Sequence, residues 1–107
     1  MINWTRVREL EDDIGVEDIE EIVEMFFDEV EEVINGLRRG NIGRDLEADM
    51  HSLKGSALNL GFDRLGRLCS DGEKLAANGQ DKYVPVSQIL SVYDASKIEL
   101  LGQLAAA

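Results

Sequence analysis

The stretch GVEDIEEIVEMFFDEVEEVINGLRRG, from Gly15 to Gly40, decides the fold. Its apolar residues are Ile19, Ile22, Val23, Phe26, Phe27, Val30, Val33, Ile34 and Leu37. At about 100° per residue they share one wide arc of a helix. Acidic residues fill the remainder, and no Lys or Arg occurs between Glu9 and Leu37. The segment therefore reads as one long amphipathic helix lying on a core. Arg38 and Arg39 suit the negative end of its dipole, and Gly40 is a natural stop. The acidic run reads as a solvated face. It lacks the Asp-x-Asp-x-Asp-Gly loop, so calcium is not expected.

The same period continues on both sides. Upstream, Trp4, Val7, Leu10 and Ile14 recur at helical spacing after a capping residue, Asn3, and predict a short first helix ending at Gly15. Downstream, Asn41 and Gly43 predict a turn. Ile42, Leu46, Met50, Leu53, Ala57 and Leu60 then mark a third helix, expected over Arg44 to Asn59 and stopped by Gly61. Phe62, Leu65, Leu68, Cys69, Leu75 and Ala76 mark a fourth, ending near Asn78 and Gly79. The Asp71-Gly72 pair is expected to kink or weaken it. After the loop NGQDKYVP, a last helix begins at Asp81 or Pro85, carries Val86, Ile89, Leu90, Tyr93, Leu100, Leu101 and Leu104, and frays into the terminal alanines. Strand alternation is not evident. The pattern is all-α: an up-and-down four-helix bundle with a short additional N-terminal helix, residues 1–107 forming a single domain.

Composition narrows the function. With 22 acidic against 11 basic residues, the net charge is −11, which repels phosphate backbones and anionic lipid surfaces. Neither nucleic acid nor membrane is expected as a partner. The N-terminus lacks the apolar core of a signal peptide, and the lone Cys69 forms no internal disulfide, so a cytoplasmic location is expected. Cys69 lies on an apolar stripe and reads as core. Trp4 reads as packing, at the edge of any docking surface. His51 and Cys69 make no zinc ligand set, and the Glu-x-x-His of di-iron bundles is absent because Ala48 precedes His51 by three. There is no GxxxxGK[ST] loop, so ATP use is not expected.

The chemistry concentrates in MHSLKGSALNLG, Met50 to Gly61, which holds the one histidine. On a helical projection His51 points about 140° away from the centre of the apolar stripe, toward solvent. Lys54 and Gly55 follow one turn on, at Cβ separations of about 5–6 Å. Lys54 can offer an ammonium to a group attached to the imidazole. A helical glycine costs roughly 0.8–1.0 kcal/mol relative to alanine, and Gly55 leaves the approach to the ring open. Leu58 adds an apolar surface on the same side, and Ala48, one turn below, is small. A lone outward imidazole with a cation and a clearing suits phosphoryl transfer, in which positioning and electrostatics do most of the work.

HSLKGSALNLG, followed by LGRLCSDGEKLAANG, resembles the signature of histidine-containing phosphotransfer (HPt) domains. The matching residues are His51, Leu53, Lys54, Gly55, Ser56, Ala57 and Gly61, with Leu65, Leu68, Cys69 and Glu73 resembling the family's next helix. The resemblance implies a bundle with an exposed His in mid-helix. It implies that His51 takes the phosphoryl group on its outer ring nitrogen, that Lys54 steadies it, and that Gly55 admits the partner, with Ala48 and Leu58 lining the docking surface. The implied partners are response-regulator receiver domains and a hybrid sensor kinase. No cofactor is implied on this chain, since the Mg²⁺ belongs to the receiver. A carrier without kinase activity, monomeric and stand-alone, is the expectation. The competing reading is an acidic helical adaptor in which His51 is inert and the second helix binds a basic partner.

Overall fold

The computed structural model describes residues 2–15, 17–40 and 42–106. Five α-helices follow in order: α1, Trp4–Ile14; α2, Ile19–Arg38; α3, Leu46–Leu60; α4, Asp63–Ala77; and α5, Val86–Ala106. A single 3₁₀ turn, Asp81–Tyr83, joins the last two. The fold is the expected four-helix bundle with a short N-terminal helix added. Helix α3 packs on α2 and α4, and α5 packs on α4 and α2, so the four long helices close a ring. The seam between α3 and α4 is opposite the seam between α2 and α5.

The ends of the helices have local causes. The Asn3 side chain accepts from the Arg6 backbone N–H and caps α1, and Gly15 closes it with φ +98°. Asp45 caps α3 by accepting from the Ala48 N–H, and Gly61 ends it in the left-handed region at φ +80°. Helix α3 therefore starts two residues later than Arg44. Ile42, placed by its spacing on the core stripe, lies before the cap and is fully exposed. Asn41, of the predicted turn, and Ala107, of the predicted frayed end, lie outside the described residues. Pro85 rather than Asp81 opens α5, its carbonyl accepting from the Ile89 N–H. The helix is continuous to Ala106.

The core is built from the expected stripes. Val23, Phe27, Val30 and Ile34 of α2 meet Met50, Leu53 and Leu60 of α3, Leu65 and Cys69 of α4, and Ile89, Tyr93 and Leu100 of α5. Phe27 stands in the middle, tilted against Phe62 at 6.3 Å and edge-on to Tyr93 at 6.4 Å between ring centroids. Burial pushes the Cys69 thiol up to about 12, which makes it an inert core residue. Helix α1 is pinned to the end of α3, with the Asn3 N–H donating to the Gly61 carbonyl at 2.6 Å and Arg6 Nε to the Asn59 carbonyl at 3.2 Å.

Gly72 does not kink α4, which is helical throughout. It is buried, and a Cβ there would sit 3.0 Å from Met50 Sδ and 3.2 Å from Val84 Cγ1. Gly66 likewise lies under Leu58, with 2.8 Å between a built Cβ and Leu58 Cδ2. The two glycines face α3 and let the two helices approach closely. That approach brings α4 within reach of His51.

Candidate functional site

The capped start of α3 fixes the phase of its faces. With Met50, Leu53 and Ala57 buried, His51 must face outward, and its side chain is 74% exposed. Ala48, Gly55 and Leu58 are all exposed on the same helix, as their spacing predicts. A Cβ built on Gly55 would meet nothing within 4 Å, so the clearing beside the imidazole is real space. Leu58 shields Gly66 below and presents half of its surface to solvent.

Lys54 does not stand free beside the ring. Its ammonium donates to Glu73 Oε1 at 2.8 Å and Oε2 at 3.2 Å, across the α3–α4 seam. The same carboxylate lies 2.9 Å and 3.3 Å from His51 Nδ1. Glu73 thus bridges the imidazole and the ammonium. Its hydrogen bond from Lys54, and then that from His51, hold its carboxyl below the usual value of 4.5. An ionised carboxylate only accepts hydrogen bonds, so Nδ1 carries the proton. In the neutral ring this leaves the lone pair on Nε2, which has no partner among the described residues.

Glu73 is the member of this cluster that spacing within one helix could not place. In the sequence, Glu73 is singled out by the family resemblance alone, with no contact to His51 implied. One signal was available: it follows the buried Gly72 and stands one turn beyond the buried Cys69. A carboxylate at the border of a buried stripe needs a partner. Asp45, Glu47 and Ala48 complete the surroundings, lining with His51 and Glu73 a shallow depression of about 300 Å³. Apart from Ala48 and His51, its lining is acidic.

The helical bundle that carries this outward imidazole has a counterpart among known families. The model of the Hpt domain matches residues 21–106. The chain belongs to the Hpt domain family. Hpt domains are phosphotransfer carriers, not kinases, and the family places this chain in phosphorelay, or two-component, signalling. They generally interact with response-regulator receiver domains. The matched span takes in α3, α4 and α5 whole and all but the first two residues of α2, while α1 lies outside it. Comparison with curated proteins and with solved structures found no match. No helix of this Hpt domain is long and apolar enough to cross a membrane.

Proposed function

We propose that His51 is the phosphoacceptor of this Hpt domain, receiving the phosphoryl group from a phospho-Asp receiver and passing it to another. The observation that carries the reading is the Nδ1–Glu73 contact, which leaves Nε2 as the open lone pair on a largely exposed ring. In the forward step the Nε2 lone pair forms a bond to phosphorus as the bond from phosphorus to the aspartyl oxygen breaks. The aspartate leaves as a carboxylate. The Nδ1 proton stays in the hydrogen bond to Glu73, whose negative charge balances the positive charge developing on the ring. Return transfer reverses each change.

Lys54 is the residue proposed to steady the phosphoryl oxygens. Its ammonium already lies in the hydrogen-bonded cluster and needs only a side-chain rotation to share itself between Glu73 and a phosphoryl group. Gly55, Ala48 and Leu58 form the docking surface, open, small and apolar in turn. The Mg²⁺ of the transfer, and its stabilisation of the moving charge, belong to the receiver. A hybrid sensor kinase is the proposed upstream source, and the chain is proposed to act as a cytoplasmic monomer.

The test is incubation with a phosphorylated receiver or an acyl phosphate. His51→Gln should keep the helical circular dichroism and take up no phosphate, whereas the wild type gains one acid-labile, base-stable group. A wild type that stays unmodified, or a His51→Gln variant that is still modified, would overturn the assignment and favour the adaptor reading.

A further inference from the structure

The α2–α5 seam, on the far side of the bundle from His51, is open. Two depressions of about 360 Å³ and 200 Å³ lie along it and share Glu24 and Leu101, so they form one groove. Its exposed apolar surface comes from α5, with Leu101 41% exposed and Leu104 half-buried, over Val23 and Phe27 of α2, which are nearly buried. One wall carries Glu20, Glu24 and Asp28, four residues apart on α2. All three are exposed, and none pairs with a Lys or Arg among the described residues.

One end of the groove holds a cation. The Lys97 ammonium lies 5.1 Å from the centroid of the Phe27 ring and pairs with Glu31. Tyr93, buried beneath, donates its hydroxyl to the same carboxylate at 2.9 Å. Hydrogen bonds from Lys97 and Tyr93 hold the Glu31 carboxyl below its ordinary value, Lys97 the more strongly. Carboxylate over aromatic floor therefore already receives an ammonium here. The remaining length of the groove repeats the carboxylate and the apolar floor without the cation.

We infer that the α2–α5 groove docks a basic amphipathic helix of a partner protein, at a surface separate from the phosphoryl site. From Glu20 to Glu31 the wall runs about 16 Å, three turns of helix. An incoming helix would lay its apolar stripe on Leu101 and Leu104, above the nearly buried Val23 and Phe27, and set Lys or Arg against Glu20, Glu24 and Asp28. A second copy of this chain fits poorly, because it would bring one acidic wall against another at a net charge of −11 per chain. Anionic lipid and nucleic acid are repelled for the same reason.

The test uses the full chain and three synthetic three-turn peptides: an amphipathic one with a Leu stripe flanked by Lys, the same peptide with Glu for Lys, and a scramble of the first that has no apolar face. Binding is followed by amide chemical shifts. The first peptide should saturate and shift amides around Val23, Phe27 and Leu101 while leaving those around His51 in place. The other two should bind at least about tenfold more weakly. A Glu24→Lys/Asp28→Lys variant, altered only at exposed positions, should lose about tenfold in affinity for the first peptide at low salt and accept phosphate on His51 as before. Equal binding of the scramble would reduce the effect to net charge. Shifts centred on α3 and α4, no saturation, or self-association through the groove would also overturn the inference.

Discussion

Glu73 Oε2 lies 2.9 Å from His51 Nδ1, and the other oxygen of the same carboxylate lies 2.8 Å from Lys54 Nζ. One acid on α4 therefore sets the tautomer of the imidazole and the resting place of the cation. Glu73→Ala should remove both constraints. Phosphoryl acceptance on His51 should slow by roughly 10- to 100-fold, by analogy with loss of the outer hydrogen-bond partner of a metal-bound imidazole. Ring ¹⁵N shifts supply the second measurement: wild type should show the Nδ1–H form among neutral rings, and the variant a mixture. An unchanged rate, or an unchanged tautomer, would remove Glu73 from the proposed machinery.

That contact also lies beyond what helical spacing determines. Helical spacing located His51, Lys54, Gly55 and Leu58 correctly on α3 because all four belong to one element, whose faces follow from its buried stripe. The His51–Glu73 distance depends on how closely two helices approach, and Gly66 and Gly72 set that. Gly72 looked like a defect in α4 because its partners, Met50 and Val84, are remote in sequence. Ile42 departs from the expected stripe for a local reason. Its spacing fits the α3 stripe, but Asp45 caps the helix three residues later, and periodicity alone does not register a cap. The four-helix architecture, by contrast, was legible in the long stripes of α2 and α5.

Acid should expose the ion pairs. Glu73 is held below the ordinary 4.5 by Lys54 and His51, and Glu31 by Lys97 and Tyr93. A carboxyl whose folded pKa is depressed stabilises the fold at pH above its unfolded value, and that contribution is lost as pH falls through the folded value. Urea midpoints should therefore decline below about pH 4.5. Glu73→Gln and Glu31→Gln should each lower the plateau at neutral pH and flatten the decline. An acid limb of the same steepness in both variants would contradict the assignment.

Two glycines on facing helices should respond in opposite ways. Gly55 has open space around a Cβ, so Gly55→Ala should raise stability by about 0.5–1 kcal/mol, read as a higher melting temperature. The bulkier Gly55→Gln should fold as well and yet slow transfer with a receiver, since the obstruction falls on the partner. Gly72 lies against Met50 and Val84, so Gly72→Leu should destabilise by roughly 1–3 kcal/mol through overpacking. Transfer at the wild-type rate in Gly55→Gln would refute the steric role of that glycine.

Gly36 and Arg44 supply a prediction about the corner that sets the phase of α3. Arg44 binds Asp49 with two parallel hydrogen bonds, Nε to Oδ2 at 2.7 Å and Nη2 to Oδ1 at 3.0 Å. Its guanidinium lies in the space a Cβ at Gly36 would occupy, so α2 and the start of α3 meet through a cation over a bare backbone. Gly36→Ala should displace the guanidinium and weaken the fork to Asp49, outweighing the gain in helix propensity. A net loss of about 1 kcal/mol is expected. In an Arg44→Ala background the overlap is gone, and the same Gly36→Ala change should become neutral or stabilising. The double-mutant cycle should therefore return a coupling of about 0.5–3 kcal/mol between positions 36 and 44. Additive effects in the urea midpoints would show that the guanidinium does not rest there in solution.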